Sequence, residues 1–495
     1  MAEQQQLARR LRSLQTTASD GTVAFPRFQQ DQLVKLYNVL VINRDEITAS
    51  VQQETGLAEV EVQIELAEAL AHIKGLASSE LDFAAWKKRK DTQLREGGIV
   101  AKGRGIIAIN ADPAAPIFSL FVPLATAIEG GNAVICTLSD LPAPLASLLL
   151  AKLSAGLDRS AFLFDAVTTL GSLLDAGNGL KPALVVSRET TQSGAGGATV
   201  VVDRLRAKSP LLAQVARLVV RGTAHAGGRL PGSIARVLVH AETAPSFVDA
   251  LLEQVRIAYG KDASLSKDLA RSTSSDSLQR LTDDVRRESE KGSGRVLCGG
   301  TVGPSSSSEV FPPTFIENPS WDLLSRNLSG PVVSIATFGS HEDALYALSR
   351  VESDALYLFS DEVDVLEYLA AETDVKAVYA NDIPLRALYD PLRAFTDIEN
   401  YQKKTTYVPA PKVGEVTSSA LYAPFTPTRR ARISALLPKS PLSLKRAKFS
   451  HPILRVFFLQ GVFLTVGTVL SLVLGSTGYG IYALARRYLF SRSVV

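Results

Sequence analysis

The chain has 495 residues, 46% of them hydrophobic and 21% charged, with 53 Lys and Arg against 50 Asp and Glu and a formal net charge of +3. That apolar fraction excludes a disordered chain and suffices for a folded body of one large or two ordinary domains. Two cysteines, Cys136 and Cys298, exclude a disulfide framework. The five histidines (His72, His225, His240, His341 and His451) lack metal-ligand spacing, so no metal site is expected. Eleven of the basic residues and none of the acidic ones lie beyond Glu415. The body is therefore mildly acidic, the positive excess belongs to the tail, and no nucleic-acid partner is expected.

From the N-terminus, MAEQQQLARRLRSLQ has no apolar signal-peptide core, so the body is expected to face the cytosol. Phe28–Val51 and Val62–Leu76 carry apolar residues at helical spacing. Ile106–Ile109, Ala133–Ile135, Ala183–Val186 and Thr199–Val202 are short runs rich in β-branched residues, bounded by Gly, Pro, Asn or Asp. They predict parallel strands buried on both faces. A second series begins at Arg236 with a strand RVLVH, a helix Ala244–Ile257 and a polar connection over 272–277. A strand RVLCGG, a loop GPSSSSE, a strand-like VFPPTFIE, a strand PVVSIATF and a helix from His341 to Arg350 follow. Alternating helices and strands predict an α/β fold in two units.

The chain then runs from Val456 to Ala485 without a charge, long enough to cross a bilayer. Eight basic residues precede this run from Arg429 onward and three follow it (Arg486, Arg487, Arg492), a bias that keeps the body cytosolic. The expectation is a single C-terminal transmembrane anchor over 456–485, reached through a basic juxtamembrane linker over 416–455, with the lipid bilayer as partner. A hairpin turning at Gly475–Gly480 and a buried core helix are the alternatives. Endoplasmic reticulum, peroxisome and mitochondrial outer membrane all fit.

The segment GIIAINADPAAPIFSLFVPLATAIEGGNAVICTLSDLPAP (Gly105–Pro144) resembles, without a gap, the coenzyme-domain stretch of aldehyde dehydrogenases. In that family a strand leads into a W-N-Y-P turn, a helix, A-I-A-A-G-N, a second strand and K-P-S-E. Pro116, Pro123, Ala127-Ile128, Gly131-Asn132-Ala133 and Ser139-Asp140 hold their offsets together. SGPVVSIATF is similar to the family's F-G-P-V segment, and LYAPFTPTRRARI (Leu421–Ile433) to the R-Y-P-P-Y-T run of the tail-anchored fatty aldehyde dehydrogenases. The resemblance implies a two-domain fold, with a Rossmann-type coenzyme domain over 25–205 and a catalytic-type α/β domain over 206–384. The segment 385–415 would return to the first domain or to an oligomerisation arm.

Family members oxidise aldehydes through a cysteine thiolate, an Asn side chain and backbone N–H for the oxyanion, a Glu base and NAD(P). The resemblance puts the oxyanion Asn at Ala114, the nucleophile at Pro231 within AGGRLPGS, and the base at Gly194 within SGAGGAT. The Lys and Glu that hold the cofactor riboses fall at Thr137 and Asn327. All five positions lack the family's side chain. This implies a catalytically inactive pseudoenzyme serving as scaffold, regulatory or binding subunit, with no cofactor expected. The alternative is an NAD- or NADP-dependent oxidoreductase of long-chain aldehydes.

Three further motifs are weaker. Gly194-Ala195-Gly196-Gly197 precedes a strand rather than opening a helix, and reads as a flexible turn more than a phosphate cradle. Lys87–Lys90 (KKRK) reads as a solvated face; in the family this region is a projecting arm used in dimer contacts, which would make the chain a homodimer. His225 reads as a loop histidine rather than an acid or base. The tail generates a first prediction: truncation after Leu437 yields a soluble, folded protein, whereas the full chain stays in the pellet on carbonate extraction. Release of the full chain into the supernatant would contradict the anchor.

Overall fold

Aliphatic runs too short for helices and too apolar for surface become the strands of two mainly parallel sheets in the computed structural model of the chain. The chain divides into two compact units, Met1–Pro409 and Ala410–Val495. The structure describes residues 2–78, 98–176, 181–188, 197–206, 209–272, 274–292, 294–301 and 310–407. All lie in the first unit. The expected span Val456–Ala485 and the run Lys87–Lys90 fall outside the described residues, among which no helix is long and apolar enough to cross a membrane.

Strand β1 (Gly98–Gly103) pairs antiparallel with the last strand, β13 (Gln402–Tyr407), in a two-stranded ribbon. The first sheet holds β2 (Ile106–Asn110), β3 (Ala133–Thr137), β4 (Phe162–Asp165) and β5 (Leu184–Val186), all parallel, in the order β4-β3-β2-β5. Between β2 and β3 runs the helix Phe118–Glu129, buried from Phe118 to Ile128 because helices Pro26–Ile42 and Glu59–Ser78 pack on its outer side. Its nearly uniform apolar sequence follows from having no solvent face.

Three local expectations change. The predicted helix Phe28–Val51 is two helices, Pro26–Ile42 and Arg44–Thr55. The break is at Asn43, whose Nδ2 donates to Val39 O at 2.8 Å, a side-chain bond that competes with helix continuation. The N-terminal Ala2–Ser19, which carries too few apolar residues to announce itself, is a helix that buries Leu11 and Leu14 against the first sheet. In VFPPTFIE only Thr314–Glu317 forms a strand, since Pro312 and Pro313 have no N–H to donate.

The second sheet is built from β6 (Ala198–Val202), β7 (Ile234–His240), β8 (Arg295–Cys298), β9 (Thr314–Glu317), β10 (Val332–Phe338), β11 (Ala355–Phe359) and β12 (Val378–Ala380). Their order is β12-β11-β6-β7-β10-β9-β8, parallel except for β8 at its edge. Strand β6 corrects the expected boundary, for it was placed with the first domain over 25–205 yet lies at the centre of the second sheet, between β11 and β7. All five of its residues are buried, so it needs neighbours on both sides, and the sequence of a fully apolar strand does not say whose. Ala198–Val202 therefore groups with the second sheet.

The chain then returns. The Tyr389 ring stacks on Phe118 at 4.7 Å between centroids, and Asn132 Nδ2 donates to Tyr401 O at 3.0 Å. These contacts close the segment after 385 onto the helix layer of the first sheet before it enters the ribbon.

At the base of the second sheet lies Arg236, fully buried on β7. Its Nε donates to Leu324 O at 3.0 Å and its Nη1 to Glu352 O at 2.7 Å. One guanidinium thus ties a central strand to two connections. Removing it would leave those carbonyls without a donor and empty a large volume, so Arg236→Ala is predicted to cost about 3 kcal/mol or more in urea unfolding. A loss below about 1 kcal/mol would show that the tie carries little.

Candidate functional site

Two of the positions picked out by sequence, Ala114 and Pro231, lie in turns at the carboxyl end of β2 and the amino end of β7. Ala114, in the turn after β2, is buried and donates its N–H to Asp112 Oδ1 at 2.8 Å. Pro231 lies in the turn before β7, where Leu230 N–H donates to Ser233 Oγ at 3.1 Å and Gly232 N–H to Leu388 O at 2.9 Å. The two turns are bridged: Arg188 stands 3.7 Å from Asp112 and donates through Nη2 to Arg229 O at 3.0 Å. Gly194 lies outside the described residues, but Gly197 beside it presses on Asn327, so that a Cβ there would meet Asn327 Nδ2 at 2.8 Å. Gly228 packs as tightly against Gly330, at φ +68° where only glycine is unstrained. Thr137 is held in a network at the carboxyl end of β3, donating to Asn110 Oδ1 at 2.8 Å while Asn110 Nδ2 donates to Asp140.

What fills the cleft was not legible in the motifs. Helix Glu59–Ser78 sends two carboxylates, four residues apart, into the interior. Glu65 Oε1 accepts the N–H groups of Ile117 and Phe118, both at 2.7 Å. Glu61 accepts from Ala58 and Ala226, at 2.9 and 2.8 Å. Ala226 is itself strained, at φ +51°, and its bond to Glu61 holds the turn His225–Gly228 in that shape. Arg229 faces the same cluster, donating to Ala226 O at 2.9 Å and Thr55 O at 3.4 Å. Burial is the main cause that pushes the Glu61 carboxyl up to about 7 and the Glu65 carboxyl up to about 8, against the N–H bonds that pull them down.

Among the described residues, the two cysteines, His225 and Ser233 are each buried or engaged. Cys136 is buried inside β3 and its thiol is pushed far up by burial. Cys298, on β8, is pushed up to about 11 and directs its Sγ at Pro313 O. His225 Nε2 pairs with Tyr389 Oη at 2.7 Å and burial pulls its pKa down to about 4, so it is a neutral structural group. Ser233 Oγ, the hydroxyl of the Pro231 turn, has its nearest polar partner in the Leu230 amide rather than in a base.

Among the described residues, the groups that a dinucleotide would call on are engaged or uncharged. The helix opening at Phe118 would offer its first N–H groups to phosphate, but Glu65 already accepts them. Thr137 and Asn327 carry no charge for the riboses. The crevice at the carboxyl ends of β6 and β11, where the strand order reverses, is closed as well. Asp203 accepts there from His341 Nε2 and Ser360 Oγ, both at 2.9 Å.

Comparison with known proteins gives a consistent picture. Residues 191–392 match the aldehyde dehydrogenase family. The chain is 26% identical over 392 residues to aldehyde dehydrogenase family 3 member H1 of Arabidopsis thaliana, covering 75% of this chain and 80% of that protein. It is 24% identical over 396 residues to the dimeric NADP-preferring aldehyde dehydrogenase of Rattus norvegicus, covering 74% and 83%. In fold it is similar to a substrate-bound AldH of Staphylococcus aureus, with a TM-score of 0.69, 16% identity, and coverage of 86% and 98%.

The buried carboxyls make stability depend on pH with a definite sign. Their folded pKa values lie above the unfolded one, so their contribution is full below about 4.5 and is lost as pH rises through about 7 to 8. Thermal unfolding of the wild type should therefore weaken between pH 5 and pH 9 by roughly 1–4 kcal/mol. Glu65→Gln keeps both amide bonds without the charge and should flatten that slope. An unchanged slope in the variant would show that Glu65 does not titrate in this range.

Proposed function

We propose that this member of the aldehyde dehydrogenase family has kept the fold without the reaction, and serves as a membrane-anchored scaffold, regulatory or binding subunit. One observation carries the reading. Where Arg188 bridges the turns of Ala114 and Pro231, the groups present among the described residues are an arginine–carboxylate cluster and committed amides, with neither cysteine on those turns.

The chemistry of the family explains why this matters. Aldehyde oxidation needs a thiolate to add to the carbonyl, donors aimed at the oxyanion, and NAD(P) to take the hydride. Here the Ala114 side chain donates nothing and its N–H is engaged by Asp112. The two thiols are held protonated at neutral pH by burial. Losing the charged contacts at Thr137 and Asn327 would weaken dinucleotide binding on the order of 10²–10⁴-fold. The charge-free run Val456–Ala485 supports a tether to a bilayer, and the likeness to a dimeric relative supports a homodimer.

A second reading, NAD(P)-dependent oxidation of long-chain aldehydes, is favoured by what the relatives are named for. One experiment separates the two. Purified full-length protein, given NAD or NADP and a long-chain aldehyde, should form no NAD(P)H above the no-enzyme rate, and Pro231→Cys alone should not restore it, because Ala114 still offers no oxyanion donor. NAD(P)H formation by the wild type that is lost in Cys136→Ser or Cys298→Ser would establish the second reading instead.

A further inference from the structure

A cavity of about 170 Å³ opens beside the Arg229 turn, between that turn, the loop entering helix Ser275–Glu290 and the stretch Ser329–Pro331. Its lining is both polar and apolar. Arg229, Arg271, Ser274 and Ser329 line it together with Leu278, Leu281 and Phe311. We propose that this cavity binds a small oxyanion, carboxylate or phosphate, carried on an apolar stem, with Arg271 as its main charge contact.

Charge is the first argument. Among the described residues, two guanidinium groups and no carboxylate line the cavity; Asp276, in the same turn as Ser274 and Ser277, is not among its walls. Arg229 is committed, through Nε and Nη2, to Ala226 O and Thr55 O. Arg271 is different: its backbone N–H is fixed to Gly56 O at 2.7 Å, while its side chain makes no hydrogen bond or ion pair among the described residues. An arginine so placed, with its backbone anchored and its fork uncommitted, is a donor without an acceptor. The positive end of the 16-residue helix Ser275–Glu290 borders the same space through Ser274 and Ser277, adding to the field without being needed to define the site.

Rigidity is the second. A Cβ on Gly56 would lie 2.5 Å from Arg271 O, and one on Gly228 would lie 2.4 Å from Gly330 O, so the walls are set by backbone in contact with backbone. The third argument is size. At about 170 Å³ the cavity falls below the roughly 300 Å³ at which pockets for drug-sized ligands begin. That excludes a dinucleotide and leaves room for an oxyanion head with a few carbons against Leu278, Leu281 and Phe311.

This inference goes beyond the proposed function and stands apart from whether NAD(P)H is formed. Calorimetric titration of the full-length protein with butyrate, butyl phosphate and inorganic phosphate tests it. Saturable binding of butyrate or butyl phosphate is expected, and the tighter of the two identifies the head group. Arg271→Ala, a change at an exposed position, should weaken it on the order of tenfold or more. Leu281→Ala should weaken butyl phosphate and leave inorganic phosphate unchanged. No saturable heat with any probe, or equal binding by wild type and Arg271→Ala, overturns the site.

Discussion

The interior depends on two carboxylates that leave one helix and satisfy amides far away in sequence. Glu65 takes the N–H groups of Ile117 and Phe118, and Glu61 that of Ala226. The first pair belongs to the turn between β2 and its helix in the first sheet. Ala226 belongs to the turn that feeds β7 in the second. A single helix turn therefore fixes the relation between the two domains where they face one another. Buried amides left without an acceptor would cost about 1–3 kcal/mol each, so the carboxylates cannot leave cheaply. The main-chain amides offset only part of the cost of burying these carboxyls, which stay raised to about 7 and 8.

That arrangement has a chemical consequence. The cleft of a two-domain α/β enzyme is where a cofactor's phosphates and a reacting carbonyl would need donors. In this chain the donors of that region are spent internally. Ile117 and Phe118 serve Glu65, Ala114 serves Asp112, and Arg229 serves the carbonyls of Ala226 and Thr55. A site whose donors already have protein acceptors gains nothing from a developing oxyanion, because each new bond would break an old one. Those amides thus serve the packing of the two sheets against one another.

Much of the fold was legible because it rests on local pattern. Ile106–Ile109 and Ala133–Ile135 are strands, since a short β-branched run closed by Gly, Asn or Asp has few other uses. Ala198–Val202 was legible as a strand yet not as a member of the second sheet, because a run apolar on both faces carries no mark of its neighbours. The turns of Ala114 and Pro231 are linked through Asp112, Arg188 and Arg229. The carboxylate cluster was not legible. Glu61 and Glu65 look like surface acids on an amphipathic helix, and their partners lie 52 to 165 residues further on. The only local hint is that both share a helix face with Val62, Leu66 and Ala69, where an unpaired acid would not be tolerated.

The central claim is that the cleft no longer accepts a dinucleotide, and calorimetric titration of the purified full-length protein with NAD and NADP tests it most directly. The account predicts no saturable heat up to about 1 mM of either, which places any dissociation constant above that level. A one-to-one isotherm with a dissociation constant of about 10 μM or tighter, abolished by substituting Thr137 or Asn327, would contradict it.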